Sequence, residues 1–271
     1  MLYAYPKISK CGLGNMLMTW VRAEIFCHKY GARMLAPQFV RLPSFGAILR
    51  GDRYLRLYSG NFDFSKSGYI TGLKRLMILM SMNRIRERDW NDNCRDAVVV
   101  FEGLADGFVP EIVANREYIL SRLKIITVRS IEESVNTMDK ERYIGVHVRR
   151  GDFKQAGVMT DNEWYVRAIK RAREIGGREL PIRIFSDGHL SQLQFVQKAF
   201  PNAKIIIMPD AKPLNDIWAL SKSTVMVGSS RSSFSMWAVI LGQMPSIWAR
   251  KNAPNVRSLY KYETDLYSVL D

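Results

Sequence analysis

Apolar residues follow two rhythms along this chain. Short runs rich in β-branched residues stop abruptly at turns, and between them apolar positions recur at the three-to-four-residue spacing of a helix. The alternation is regular in the second half. Tyr143, Ile144, Val146 and Val148 predict a buried strand that ends at Gly151-Asp152. Thr160-Asp161-Asn162-Glu163 then supplies an N-cap and an early carboxylate for a helix running to about Glu174, closed by Gly176-Gly177. Strand Pro181 to Phe185, helix Leu190 to Phe200, strand Lys204 to Met208, helix Leu214 to Ser221, strand Thr224 to Val227, helix Phe234 to Leu241 and strand Ser246 to Trp248 follow. Strands alternating with helices of about ten residues are βαβ units around a parallel sheet, so this half reads as Rossmann-like.

The first half is less regular. Leu17, Trp20, Val21 and Ile25 recur at helical spacing behind Lys10-Cys11-Gly12-Leu13-Gly14-Asn15, and Gly31 suits a C-cap. A glycine loop therefore opens a helix of about four turns. Ala32 to Ala36 reads as a second strand, whereas Phe39 to Asp96 shows no clear alternation. Ala97 to Phe101 predicts a buried strand, followed by a loop from Gly103 to Pro110 and helices at Glu111 to Arg122 and Ile131 to Asp139. A domain boundary near Met138 gives domains 1–138 and 139–271. No internal repeat or low-complexity segment is visible.

Composition narrows the function classes. The 271 residues, 47% apolar and 24% charged, suit one large or two smaller soluble domains. No charged start precedes an apolar leader core, and no apolar run approaches the ~18 residues of a membrane span. A cytoplasmic location is the expectation. Cys11, Cys27 and Cys94 are odd in number and without metal-like spacing, which argues against a disulfide framework or a zinc site. The net charge of +14 suits nucleic acid, an anionic membrane surface or a small phosphorylated substrate. Nucleic acid ranks low, because no recognised motif appears and the aromatics do not cluster with the basic residues. From Arg41 to Arg95 there are eleven Lys/Arg against five Asp/Glu, and Leu73 to Met82 within it is apolar and methionine-rich. That stretch is either a core helix with a solvated basic face or a peripheral contact with anionic lipid at the inner face of the membrane.

Candidate chemistry concentrates at strand ends. In an open α/β sheet, ligands bind outside the carboxyl ends of the strands, which is where Arg149 and Arg150 fall. Side chains alternate faces along a strand, so at most one of the pair points toward any single ligand. A guanidinium holding two oxygens at once suits a phosphate or carboxylate. The competing reading is an arginine pair serving local carboxylates. Gly12-Leu13-Gly14 offers backbone amides at a helix start, an anion cradle that is weak evidence alone. Asp187 ends another strand, Asp216 opens a helix, and Ser232, Ser233 and Ser235 crowd a third helix start. A carboxylate can accept paired hydrogen bonds from a guanine edge or a ribose, and a serine-rich turn can donate to a phosphate. Each of these could equally be a simple helix cap.

His147-Val148-Arg149-Arg150-Gly151-Asp152 resembles the H-x-R-R-x-D signature of the fucosyltransferase superfamily, which includes bacterial α-1,2- and α-1,6-fucosyltransferases. Gly12-Leu13-Gly14-Asn15 resembles the G-G-L-G-N-Q loop of the bacterial α-1,2 enzymes, with Cys11 and Met16 departing from it. Ser186-Asp187, Asp216 to Ser221 and Ser232 to Trp237 are similar to three further segments of the superfamily, with Arg231 and Met236 as departures. The resemblance implies a GT-B α/β architecture: two Rossmann-like domains facing across a cleft, the first on the acceptor side and the second binding the nucleotide sugar.

It also implies inverting transfer of fucose from GDP-fucose to a hydroxyl of a glycan or lipid-linked glycan, in an α-1,2 linkage, without a metal or other cofactor. In the superfamily the second arginine of the motif, here Arg150, grips the donor diphosphate. By the same analogy Asp216, Ser232, Ser233 and Ser235 hold guanine and diphosphate. Asp187 lies near the nucleoside, and Gly12, Gly14, Asn15, His147 and Arg149 complete the donor set. Candidates for the acceptor's general base are Asp152, Asp161 and Glu163, with Asp152 preferred. His147 reads as holding the turn rather than acting in catalysis. Two other readings stay open: the same fold with a different nucleotide sugar, and a basic anion-binding protein without turnover.

Overall fold

A computed structural model describes residues 1–9, 11–39, 58–103, 109–138, 141–150, 160–206, 212–229 and 232–248. The chain divides into two compact units, Met1–Pro43 with Arg56–Arg129, and Ser44–Leu55 with Ser130–Asp271. The change of unit falls upstream of Met138.

The first unit is built on β1 (Leu2–Pro6), α1 (Leu13–Tyr30), β2 (Arg33–Met34), α2 (Gly72–Ser81), β3 (Arg84–Arg86), β4 (Ala97–Phe101), α3 (Val109–Ala114) and α4 (Arg116–Ile126). Its four strands run parallel in the order β2-β1-β4-β3. The first helix is longer than the sequence suggests. Leu13 is already helical with Gly12 as N-cap, and the helix closes at Gly31 in the left-handed region at φ 64. Every residue from Leu13 to Phe26 except Asn15 is buried, Arg22 and Glu24 included. Glu24 accepts hydrogen bonds from the hydroxyls of Tyr69 at 2.8 Å and Tyr118 at 3.1 Å and pairs with Arg122. A buried charge of this kind persists because it is paired and hydrogen-bonded.

One expectation changes here. The single helix from Glu111 to Arg122 is interrupted at Asn115, whose side-chain amide shares the Glu111 carbonyl, at 2.9 Å, with its own backbone amide at 3.1 Å. The apolar stretch from Leu73 to Met82 is helical to Ser81, as α2, which turns Ile78, Leu79 and Met82 onto Tyr3, Tyr5, Leu35, Ile70, Val98 and Val100.

The second unit opens with α5 (Arg129–Met138), whose first residue closes the preceding unit. β5 (Ile144–Val148), α6 (Asn162–Gly176), β6 (Ile182–Ser186), α7 (Gln194–Ala199), β7 (Lys204–Ile206), α8 (Pro213–Leu220), β8 (Val225–Val227), α9 (Ser233–Gly242) and β9 (Ser246–Ile247) follow. All five strands are parallel, in the order β7-β6-β5-β8-β9. The helix expected from Leu190 to Phe200 begins as a 3-10 turn over Leu190–Leu193 before α7.

Helices cover both faces of this sheet, as an all-parallel sheet requires. Ile144, Val146 and Val148 pack on one side with Trp164, Tyr165 and Ile169 of α6 and Val196 of α7. Tyr143 lies on the other side with Ala219 and Leu220 of α8 and Ala238 and Val239 of α9. Gly145 shares that second face, where an added Cβ would lie 2.9 Å from the Ser223 Cβ. A Cβ on Gly242 would come within 2.1 Å of the Ser221 carbonyl oxygen, so glycine lets α8 and α9 touch backbone to backbone.

Candidate functional site

β5 is the first strand of the second unit and lies at its centre. The chain winds outward through β6 and β7 on one side and through β8 and β9 on the other. The strand order therefore reverses between β5 and β8, and ligands of doubly wound sheets bind in the crevice at that switch point. Arg149 follows β5 there, Ser229 follows β8, and α9 begins beside them.

The period of two along β5 carries past its end. His147 faces α8 and α9, and its Nδ1 lies 2.6 Å from the Ser235 hydroxyl. Burial, with Arg149 acting in the same direction and Asp187 against it, lowers the imidazole pKa to about 3, so the ring is neutral. Ser229 knits the strand ends together. Its hydroxyl donates to the His147 carbonyl at 2.7 Å and accepts from the Arg149 amide at 2.8 Å, with the Tyr165 hydroxyl also at 2.8 Å. Its own amide donates to the Ser235 hydroxyl at 3.2 Å. Sequence reasoning passed over Ser229; its one signal is a small hydroxyl directly after a strand-ending glycine.

Arg149 lies on the α8/α9 side, 18% exposed, with its Nε 3.0 Å from the Asp187 carboxylate. The other Asp187 oxygen accepts from the Arg150 amide at 2.7 Å. Asp187 is therefore a brace between β5 and β6 rather than a helix cap, and His189 takes the capping position after β6.

Arg150 turns to the opposite side, against α6 and α7, and is 3% exposed. Its Nη1 donates to the Thr160 carbonyl at 3.0 Å and its Nη2 to the Asn162 side chain. The guanidinium carbon lies 5.5 Å from the Tyr165 ring centre and 5.3 Å from that of Phe195. Burial lowers its pKa from the usual arginine value, with Tyr165, Asp161 and Asp187 opposing. Strand parity sends Arg150 into the α6 side of the unit, where Thr160, Asn162, Tyr165 and Phe195 surround its guanidinium.

Asp216 sits in the first turn of α8, half-buried, on the same face of the sheet as Arg149. It is not the cap, since Lys212 is the N-cap and Pro213 the first helical residue. Its Oδ1 is enclosed and has no hydrogen-bond partner. Burial pushes the carboxyl up to about 7, against a downward pull from Asn215. An enclosed acceptor without a donor is uncommon in a folded interior.

The serine cluster divides by role. Ser232 is the N-cap of α9 and accepts from the Ser235 amide at 3.3 Å, and Ser233 is half-buried at the first helical position. Ser235 is fully buried, with its hydroxyl on His147. Asp161 caps α6 by accepting from the Trp164 amide at 3.2 Å, while Glu163 is exposed and 3.9 Å from Arg167. Asp152 and Arg231 lie outside the described residues. In the first unit, Gly12 ends the loop after β1 with open space where a Cβ would be, and Gly14 and Asn15 belong to the first turn of α1. Among the described residues no cluster of His, Cys, Asp and Glu could hold a metal ion.

Comparison with family models matches residues 111–267, more than half the chain, to glycosyl transferase family 11. The chain belongs to that family. Among solved structures, this family 11 glycosyltransferase is similar to the NodZ α-1,6-fucosyltransferase co-crystallised with GDP, at 14% identity and TM-score 0.62, over 92% of this chain and 95% of that one. The selenomethionine structure of NodZ from Bradyrhizobium aligns at 14% identity and TM-score 0.61, over 93% and 96%. POFUT1 in complex with GDP aligns at 12% identity and TM-score 0.55, over 91% and 97%. A search of curated protein sequences gave no significant match. The family 11 chain thus has the GT-B-like α/β fold of the NodZ and POFUT1 structures, with a parallel sheet in each unit.

Proposed function

We propose that this enzyme transfers fucose from GDP-fucose, with inversion, to a hydroxyl of a glycan acceptor, forming an α-1,2 linkage. The observation that carries the donor reading is the pairing on one face of the second sheet: Arg149 at the switch point, and Asp216 with its enclosed, unpartnered oxygen on the neighbouring helix. A guanine edge offers two adjacent N–H donors, which a carboxylate accepts together. Arg149 holds the diphosphate, and Asp187 aims its side chain. Charge builds on that leaving group in the transition state, so a fixed guanidinium there lowers the barrier without a metal ion. The fold supports the choice of donor, since one NodZ structure was soaked with GDP-fucose and one POFUT1 structure is a GDP-fucose complex. The G-L-G-N loop motif supports the linkage, and Asp152 is the proposed base on the acceptor hydroxyl.

Calorimetric titration with GDP, UDP, GDP-fucose and GDP-mannose, in EDTA and in Mg²⁺, tests this reading. The expected result is micromolar, metal-independent binding of GDP and GDP-fucose. Preference for UDP would overturn the donor assignment, and a requirement for Mg²⁺ would overturn the role given to Arg149.

A further inference from the structure

The helix α2 has apolar side chains on two opposite sides. One side, Ile78 with Leu79 and Met82, packs on the first sheet, and Arg75 lies over the Tyr5 ring at 5.0 Å. The other carries Leu73, Leu76, Met77 and Met80, exposed by 73, 49, 60 and 74%. Their spacing of three, four and seven residues sets them on a single stripe, pointing away from the sheet. Water-facing stripes of this kind mark an interaction surface.

We propose that α2 lies in the headgroup region of an anionic lipid bilayer and holds the first unit at the membrane surface. This inference goes beyond the donor reading and does not depend on it. Charge complementarity decides the occupant. Lys74 stands exposed beside the stripe, and Arg84 places its guanidinium on the Leu79 carbonyl at the end of the helix. Lys66, Arg86 and Arg88 are exposed in the flanking segments, the last two beside Asp89. An apolar stripe bordered by lysine and arginine is what binds an anionic leaflet in plane.

Ten residues of helix span only ~15 Å, about half a bilayer core, and no helix among the described residues is long and apolar enough to cross one. The unbranched methionines adapt to a fluid surface. A second copy of the chain fits less well. The four side chains offer roughly 500 Å², short of the ~800 Å² per partner of a standard interface. A two-fold axis would also bring the same basic residues face to face.

The test is flotation of the full-length protein with vesicles of phosphatidylcholine alone or mixed with phosphatidylglycerol, at low and high salt. The wild type is expected to float with the phosphatidylglycerol vesicles and to release as salt rises. Met77→Glu/Met80→Glu should lower the bound fraction at least tenfold, and Lys74→Glu should lower it on anionic vesicles alone. Melting temperature and GDP affinity should hold in both variants, because these side chains are exposed. Absence of wild-type flotation, or equal flotation of the double variant, would overturn the proposal. So would light scattering that shows a wild-type dimer split into monomers by Met77→Glu/Met80→Glu, since a second copy would then cover the stripe.

Discussion

The two sides of the second sheet treat neighbouring residues of the same type in opposite ways. On the α6/α7 side, Arg150 is enclosed by Thr160, Asn162, Tyr165 and Phe195. On the α8/α9 side, Arg149 stays partly exposed at the switch point, and Asp216 keeps an enclosed oxygen without a donor. One arginine is held by the α6 and α7 side of the unit, and the other lies with Asp187 at the switch point of the sheet. Being charged, planar and at a strand end does not separate the two. What separates them is which face the pleat assigns to each and what already waits there.

That contrast can be broken by experiment. Arg149→Lys keeps the charge and loses the fork, so GDP-fucose turnover should fall by a factor on the order of 100 to 1,000, about 3 to 4 kcal/mol, with the melting temperature nearly unchanged. Arg150→Met should do the reverse. Denaturant unfolding should show a loss of roughly 3 kcal/mol, since hydrogen bonds from a buried charge and its stacking go together, while the residual folded protein binds GDP normally. If Arg150→Met folds well and fails to bind GDP, the assignment of the two arginines is inverted.

Asp216→Asn should weaken GDP binding by about 2 kcal/mol in calorimetry, because an amide cannot accept from both N–H groups of guanine. The same variant sharpens the comparison through pH. Asp216 is raised from 3.8 to about 7, so the unfolded chain ionises first and stability falls as pH rises through that interval. His147 is lowered from 6.5 to about 3, so the unfolded chain takes up a proton first and stability falls as pH drops. Between about pH 4 and 6.5 the two slopes, each about 1.4 kcal/mol per pH unit, oppose one another. Urea unfolding at several pH values should show a shallow wild-type profile. Asp216→Asn should tilt it upward with pH by about that slope, and a profile no steeper than wild type would mean that Asp216 ionises as freely in the folded chain as in the unfolded one. The smallest effect is reserved for Ser232→Ala. It removes a helix cap and should cost about 1 kcal/mol of stability, with GDP affinity unchanged.

Much of this was legible in the residues. The five strands of the second sheet and its parallel winding follow from apolar runs cut by Gly, Asp and Ser. The alternation from His147 to Arg150 already says that the two arginines part. What it does not say is which side is filled, because that depends on Thr160, Asn162, Tyr165 and Phe195 arriving from other elements. Asp216 in sequence is open between a guanine acceptor and a helix cap, and only the packing of α8 reveals the enclosed oxygen. The first unit resisted for a different reason. α2 is apolar on two sides, so its spacing marks a helix without saying which side meets the sheet, and Asn115 interrupts a helix that spacing alone would continue.

Gly188 lies at the end of β6, where an added Cβ would fall 2.8 Å from both the Arg150 Cβ and the Gln192 side-chain oxygen. The three positions are therefore bound together over evolutionary time. Enlarging residue 188 requires both the backbone carrying the residue-150 Cβ and the Gln192 side chain to give way, so a change at 188 should come with changes around both or not at all.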